Sequence, residues 1–186
     1  TGKTSLAKNG LSKCLKDKNG VSRPFSFLAI GGAVNGSTLI GHNYTYVGST
    51  WGKIVDILIT SKCMNPIIFI DELDKVSETA KGEEIINILM HITDSTQNSH
   101  FNDKYFGGLD FDLSKAIIIF SFNDEYKISR ILRDRMKIIR VKGYKLTDKL
   151  KIAKDYLIPK LLKQIGLEDI EIKFSDNLPN RIFIWF

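Results

Sequence analysis

Near the start of the chain stands Gly2-Lys3-Thr4, in the context TGKTSLAK. This triplet closes the loop pattern G-x-x-x-x-G-K-[ST]. In that loop, successive backbone N–H groups wrap phosphate oxygens, the lysine reaches the outer phosphates and the hydroxyl holds Mg²⁺. Alone, a Gly-Lys-Thr is commonplace on protein surfaces. Two further clusters give it a setting. The apolar run at 66–70 ends in Asp71-Glu72, and the run at 116–122 ends in Asn123. A carboxylate pair behind an apolar strand suits nucleotide hydrolysis, the first acid holding a metal and the second polarising a water. A strand end with two solvated acids has the same composition. The Asn123 amide would sense a terminal phosphate and orient that water, or it is a turn-forming residue before Asp124. Further on, RILRDRM at 130–136 carries three arginines at a helix end. A guanidinium suits the charge that develops on a transferring phosphoryl group, although an ordinary basic surface helix looks no different.

Ligands of open parallel sheets sit at the carboxyl ends of the strands, so these clusters require strands behind them. PFSFLAIGG at 24–32, PIIFID at 66–71 and KAIIIFSFN at 115–123 supply them. The last two are rich in β-branched and aromatic residues without polar alternation, which predicts strands buried on both faces. Helical spacing covers 4–16, with Leu6, Ala7, Leu11, Cys14 and Leu15 on one side, and also 52–62 and 82–92. Strands alternating with helices predict an α/β fold with a parallel sheet between helices. After residue 140 the texture changes. Leu150, Ala153, Leu157 and Leu161 form one helical stripe, with Thr147 as the expected N-cap and Pro159 expected to kink or end the helix. The expected division is a large α/β domain over 1–142 and the start of a small helical domain over 143–186.

The 186 residues, 43% hydrophobic and 26% charged, with no low-complexity tract, exclude a disordered chain. Cys14 and Cys63 provide neither a disulfide framework nor metal-ligand spacing, and read as reduced, buried residues of an intracellular, cytoplasmic protein. No apolar run reaches the length of a membrane span and no signal peptide opens the sequence. The net charge of +6 is spread along the chain, with mild concentrations at 8–23 and 142–163. It is compatible with nucleic acid but does not single it out, and specific nucleic-acid binding is not expected.

The order of parts, Gly-Lys-Thr, apolar-Asp-Glu, apolar-Asn and Arg-Asp-Arg, is that of an AAA+ P-loop ATPase. Within it the chain resembles the ATPase module of Lon-type proteases, in the manner of a giant-virus Lon-like protein. The stretches that carry the resemblance are TGKTSLAK, IGG, GHNYTYVGSTWGKI, NPIIFIDELDK, QNSHFNDKYF, DFDLSKAIIIFSFND, LRDRM and GYKLTDKLKIAKDYLIPK, covering residue 1 to about residue 175. The resemblance implies ATP and Mg²⁺ as ligands, with Gly2 and Lys3 on the phosphates and Thr4 and Asp71 on the metal. It makes Glu72 the water-activating base and Asn123 the γ-phosphate sensor. Arg135 becomes an arginine finger acting on a neighbouring subunit's ATP, with Arg133 as a helper. Tyr144 falls where a residue packs near adenine, and Tyr46-Val47 where a pore loop grips unfolded polypeptide, the alternative for that pair being a buried strand edge. The implied partners are copies of the same chain in a hexameric ring and unfolded protein substrates.

Departures accompany the match. Asn43-Tyr44 stands where the family is basic, Thr50-Trp51 replaces a Met-Pro pair, and the Gly-Val-Arg sensor of the small domain has no counterpart. The closing LPNRIFIWF fits no family element, and a Ser-Lys protease domain is not in the sequence. The first half of the phosphate loop and the strand before it are also missing. The expectation is therefore that these 186 residues alone hold ATP weakly and hydrolyse none. Two other readings stand beside the Lon-like one: a non-hydrolysing AAA+ remnant serving as an interaction module, and an AAA+ motor on nucleic acid.

Overall fold

The computed structural model describes residues 2–16, 18–31, 35–76 and 79–167; LPNRIFIWF lies outside them. The described chain divides into two compact units, one spanning Gly2–Ile139 and the other starting at Arg140.

In the first unit, three parallel strands form the sheet: β1 (Phe25–Ala29), β2 (Ile67–Asp71) and β5 (Ile117–Phe120), in the order β1-β2-β5. The register pairs Leu28 with Ile70 and Ala29 with Asp71 across β1 and β2, and Ile70 with Phe120 across β2 and β5. β2 is the central strand, and Ile67, Ile68, Phe69 and Ile70 are all fully buried, as an apolar run without alternation predicts. β5 departs from the same expectation, for all four of its residues are only half-buried. Its physical reason is position: among the described residues β5 pairs on one side only.

Alternation within β2 sends Ile68 and Ile70 into the main core with Leu28 and Ile30. Ile54, Val55, Ile57 and Leu58 of the helix Lys53–Ser61, Ile85, Leu89 and Ile92 of the helix Ala80–Thr93, and Leu39 and Leu132 complete that core. Phe69, pointing the other way, meets the tilted Phe25 ring at a centroid distance of 5.8 Å and stacks with Phe27 at 5.9 Å. A small antiparallel hairpin, β3 (Phe101–Asn102) with β4 (Asp110–Phe111), follows the long helix.

The amino-terminal helix runs through Lys3–Ser5, a π-helical stretch Leu6–Leu11, and Ser12–Cys14. The π-turn rotates the later residues away from a 3.6 repeat, so the expected stripe is broken. Ala7 and Ser12 are buried while Leu6, Leu11 and Cys14 are exposed. Cys63 is half-buried, so neither cysteine is the buried residue that composition implied.

In the second unit, Leu146–Ile152, the π-helical Ala153–Leu157 and Ile158–Gln164 follow one another as a continuous helix. Its N-cap is Lys145, whose backbone N–H donates to the Asp148 carboxylate at 3.1 Å, so Thr147 lies inside the helix and does not cap it. Pro159 does not end the helix: it stands in the first turn of the Ile158–Gln164 segment, just after the π-turn, where a proline is tolerated. No described helix is long and apolar enough to cross a membrane.

Candidate functional site

The carboxyl ends of β2 and β5 lie side by side, and the amino-terminal helix delivers Lys3 to them. Gly2 caps that helix with φ 83°, a left-handed backbone that glycine adopts without steric cost. The Lys3 ammonium donates to the Phe122 carbonyl at 2.5 Å and to Asn123 Oδ1 at 2.8 Å. Two motifs 120 residues apart thus meet at one atom. Both acceptors are neutral oxygens, so neither offsets the charge of the ammonium. Thr4 follows in the first turn, half-buried.

Asp71 ends β2, and Glu72 leaves the strand with φ 59° and ψ 42°. That left-handed residue turns the chain into the short Leu73–Lys75 helix, and its N–H donates to Asp71 Oδ1 at 3.1 Å. The Glu72 carboxylate pairs with the Lys75 ammonium and raises that group's pKa above its ordinary value. On its other side lies Gly31, where a methyl group would come within 2.4 Å of Glu72 Oε2. Two bonds tie the Glu72 turn to the strand beside it: Leu73 N–H to the Ser121 carbonyl at 3.0 Å, and Asp124 N–H to Asp74 Oδ2 at 3.2 Å. The acids after β2 and the amide after β5 are held as one rim.

Arg135 follows the short helix Arg130–Asp134. Its guanidinium donates to the Met90 carbonyl at 2.5 Å and pairs with Asp94 at 3.1 Å, so in this chain it closes the carboxyl end of the helix Ala80–Thr93. The Thr96 hydroxyl and backbone N–H, with Arg135 adding to them, hold Asp94 below the usual carboxylate range. Arg133 is half-buried on the same short helix. Tyr144 belongs to the second unit and is partly exposed.

Tyr46 and Val47 crown a tight loop closed at its base by His42 N–H to the Thr50 carbonyl, 3.1 Å. Tyr46 is 67% exposed and Val47 wholly so, which removes the buried strand-edge alternative. Gly41, at the start of the loop, and Gly48, just after its tip, both take positive φ, 75° and 77°. Sequence reasoning passed over Asp103, a fully buried carboxylate that receives the Gly52 N–H at 2.7 Å and the Tyr105 N–H at 2.8 Å. The available signal was a single acid in the aromatic stretch HFNDKYF.

Residues 1–144 match the model of the ATPase family associated with various cellular activities (AAA). This chain belongs to the AAA ATPase family. Nucleotide binding is the family's common property, and the matched residues 1–144 include Lys3, Asp71, Glu72 and Asn123. Among relatives, the chain is 39% identical over 178 residues to a Lon protease homolog of Acanthamoeba polyphaga mimivirus, covering 95% of the chain and 17% of the relative. It is 41% identical over 174 residues to the Lon protease of Campylobacter concisus, covering 94% and 20%. To the Lon protease of Syntrophomonas wolfei it is 38% identical over 182 residues, covering 97% and 21%. The chain therefore spans about a fifth of the length of the curated relatives it matches, and resembles the ATPase segment of Lon-type proteases along nearly all of its own length.

Proposed function

We propose that this AAA chain binds and hydrolyses ATP with Mg²⁺ as part of a Lon-like machine that unfolds and translocates protein substrates for proteolysis. The observation that carries the reading is the Lys3 ammonium seated on Asn123 at the sheet end where β2 delivers Asp71 and Glu72. One cation, one neutral amide, one hydroxyl and two carboxylates on a single rim fit a Mg²⁺-bound triphosphate, since anionic oxygens and a divalent cation find partners there together. ATP would supply the transferable phosphoryl group, and Mg²⁺ would offset its charge. Gly2 and Lys3 hold phosphate oxygens, and Thr4 and Asp71 hold the cation. Asn123 orients the attacking water, and the Glu72 carboxylate accepts that water's proton. Arg135 serves a neighbouring copy's site in a homo-hexameric ring, with Arg133 assisting, and it must leave Met90 and Asp94 to do so. Tyr46 and Val47, presented on the exposed loop, grip unfolded polypeptide. The helical second unit is the start of the module's lid, and the activity belongs to the cytoplasm.

The test is Glu72→Gln in the protein expressed from its full gene. The amide keeps the size of the side chain and removes the base, so ATP affinity is expected to persist while turnover falls by about 10²-fold or more. Equal loss of binding and turnover would leave Glu72 with only a structural part.

A further inference from the structure

We infer that Asp103 is a positioning residue for the Tyr46-Val47 loop, its buried carboxylate locking the root of that loop to the β3–β4 hairpin. The inference rests on the reading of that loop as the polypeptide grip.

A buried carboxylate is costly to keep unless its oxygens receive strong donors. Asp103 is 1% exposed, and each of its oxygens takes one backbone N–H: Oδ2 that of Gly52, 51 residues away in sequence, and Oδ1 that of Tyr105. Gly52 is the residue that ends the loop and caps the helix Lys53–Ser61. Gly41, at the loop's other end, approaches the same carboxylate so closely that an added methyl would lie 2.9 Å from Oδ1. Both ends of the 41–52 segment therefore converge on one acid. Neighbouring contacts tie the same two elements. The Lys104 N–H donates to the Ile40 carbonyl at 2.7 Å. The Trp51 ring stacks on Phe106 at 6.1 Å and meets Tyr105 edge-on at 5.7 Å. The loop tip makes no comparable tie: the Tyr46 and Val47 side chains stand in solvent, and the turn is closed by bonds internal to 43–49. Its orientation is inherited from its root, and the root is held by Asp103. A carboxylate can accept from both donors at once, whereas an asparagine must turn its NH₂ towards one of them.

The experiment compares Asp103→Asn, Tyr46→Ala and the unaltered protein, each expressed from the full gene. Amide hydrogen exchange read by peptide mass spectrometry should speed up about tenfold or more at residues 41–52 and 104–106 in Asp103→Asn. Protection of the β2 peptide should stay unchanged. With unfolded casein as the polypeptide probe, the KM for casein-stimulated ATP hydrolysis should rise severalfold while kcat at saturating casein stays within about twofold. Unchanged exchange at residues 41–52 would overturn the role of Asp103, as would a fall in kcat at unchanged KM. If Asp103→Asn does not fold, Asp103→Ser with hydrogen exchange decides the same question, since a single hydroxyl retains at most one of the two acceptor contacts. If Tyr46→Ala leaves the KM for casein unchanged, the polypeptide-grip reading fails. Even so, loosening of residues 41–52 in Asp103→Asn would still establish the anchor.

Discussion

Replacing Gly31 with alanine should disable the proposed base without changing Glu72 itself. The methyl group of Gly31→Ala would lie 2.4 Å from Glu72 Oε2 and 3.1 Å from its Cβ, about 1 Å inside ordinary contact at the carboxylate. The Cβ contact is tight but tolerable, and the carboxylate is the far end of a flexible chain, so the side chain yields before the sheet does. A displacement of about 1 Å at a catalytic group costs on the order of 10²-fold in rate, or about 2.7 kcal/mol of transition-state stabilisation. Nucleotide binding is expected to survive, because Lys3, Thr4 and Asp71 are not in the path of the new methyl. The assay is steady-state ATP hydrolysis with a parallel nucleotide titration, repeated in the Glu72→Gln background. There Gly31→Ala should add little, since both changes act on one group and are not additive. Wild-type turnover in Gly31→Ala would refute the reasoning. So would a further 10²-fold loss on top of Glu72→Gln, because the glycine would then act through something other than the carboxylate.

Arg135→Ala should weaken the fold by about 1–2 kcal/mol, the worth of a partly exposed charge-assisted contact, measured by urea denaturation. Mixed with Glu72→Gln protomers it should regain ATPase activity above either parent; if no mixture does so, the role across subunits loses its support. Gly52→Ala puts a methyl 2.1 Å from the Leu39 carbonyl oxygen, a backbone atom that cannot swing aside, and should cost about 3 kcal/mol or more in the same denaturation assay. Asp94, held below 3.8 by Thr96 and Arg135, contributes stability that is present above pH 3.8 and is lost as pH falls through its depressed folded value. Asp94→Asn should accordingly flatten the acid limb of a melting-temperature profile while lowering stability at neutral pH.

The strands and the two long helices were legible because burial writes itself into local pattern. Ile67–Ile70 has no polar residue to alternate with, and 82–92 repeats at helical spacing. The candidate site was legible through the order of its motifs alone: nothing local to Lys3 says that it will meet Asn123, and the contact forms because the amino-terminal helix starts at the end of the sheet. What escaped was set by single long-range contacts or by local winding. The π-turns at Leu6–Leu11 and Ala153–Leu157 leave no compositional mark. Thr147 offered a good capping hydroxyl, but the cap fell to Lys145 because Asp148 lies three residues on and reaches its N–H. The resemblance makes Arg135 a finger, and only its neighbours in space reveal that in this chain it closes a helix. Asp103 escaped for the same reason, its donors being Gly52 and Tyr105 from two separate segments.

Glu72 holds a left-handed backbone that a side chain with a Cβ adopts at a cost of about 1–2 kcal/mol. Glycine would relieve that cost and asparagine would lessen it, and neither can take a proton from water. On the proposed reading of Glu72 as the base, a more comfortable turn would give a better-folded and slower protein. The strain at the Glu72 φ of 59° is, on that reading, the cost of keeping a carboxylate at that turn.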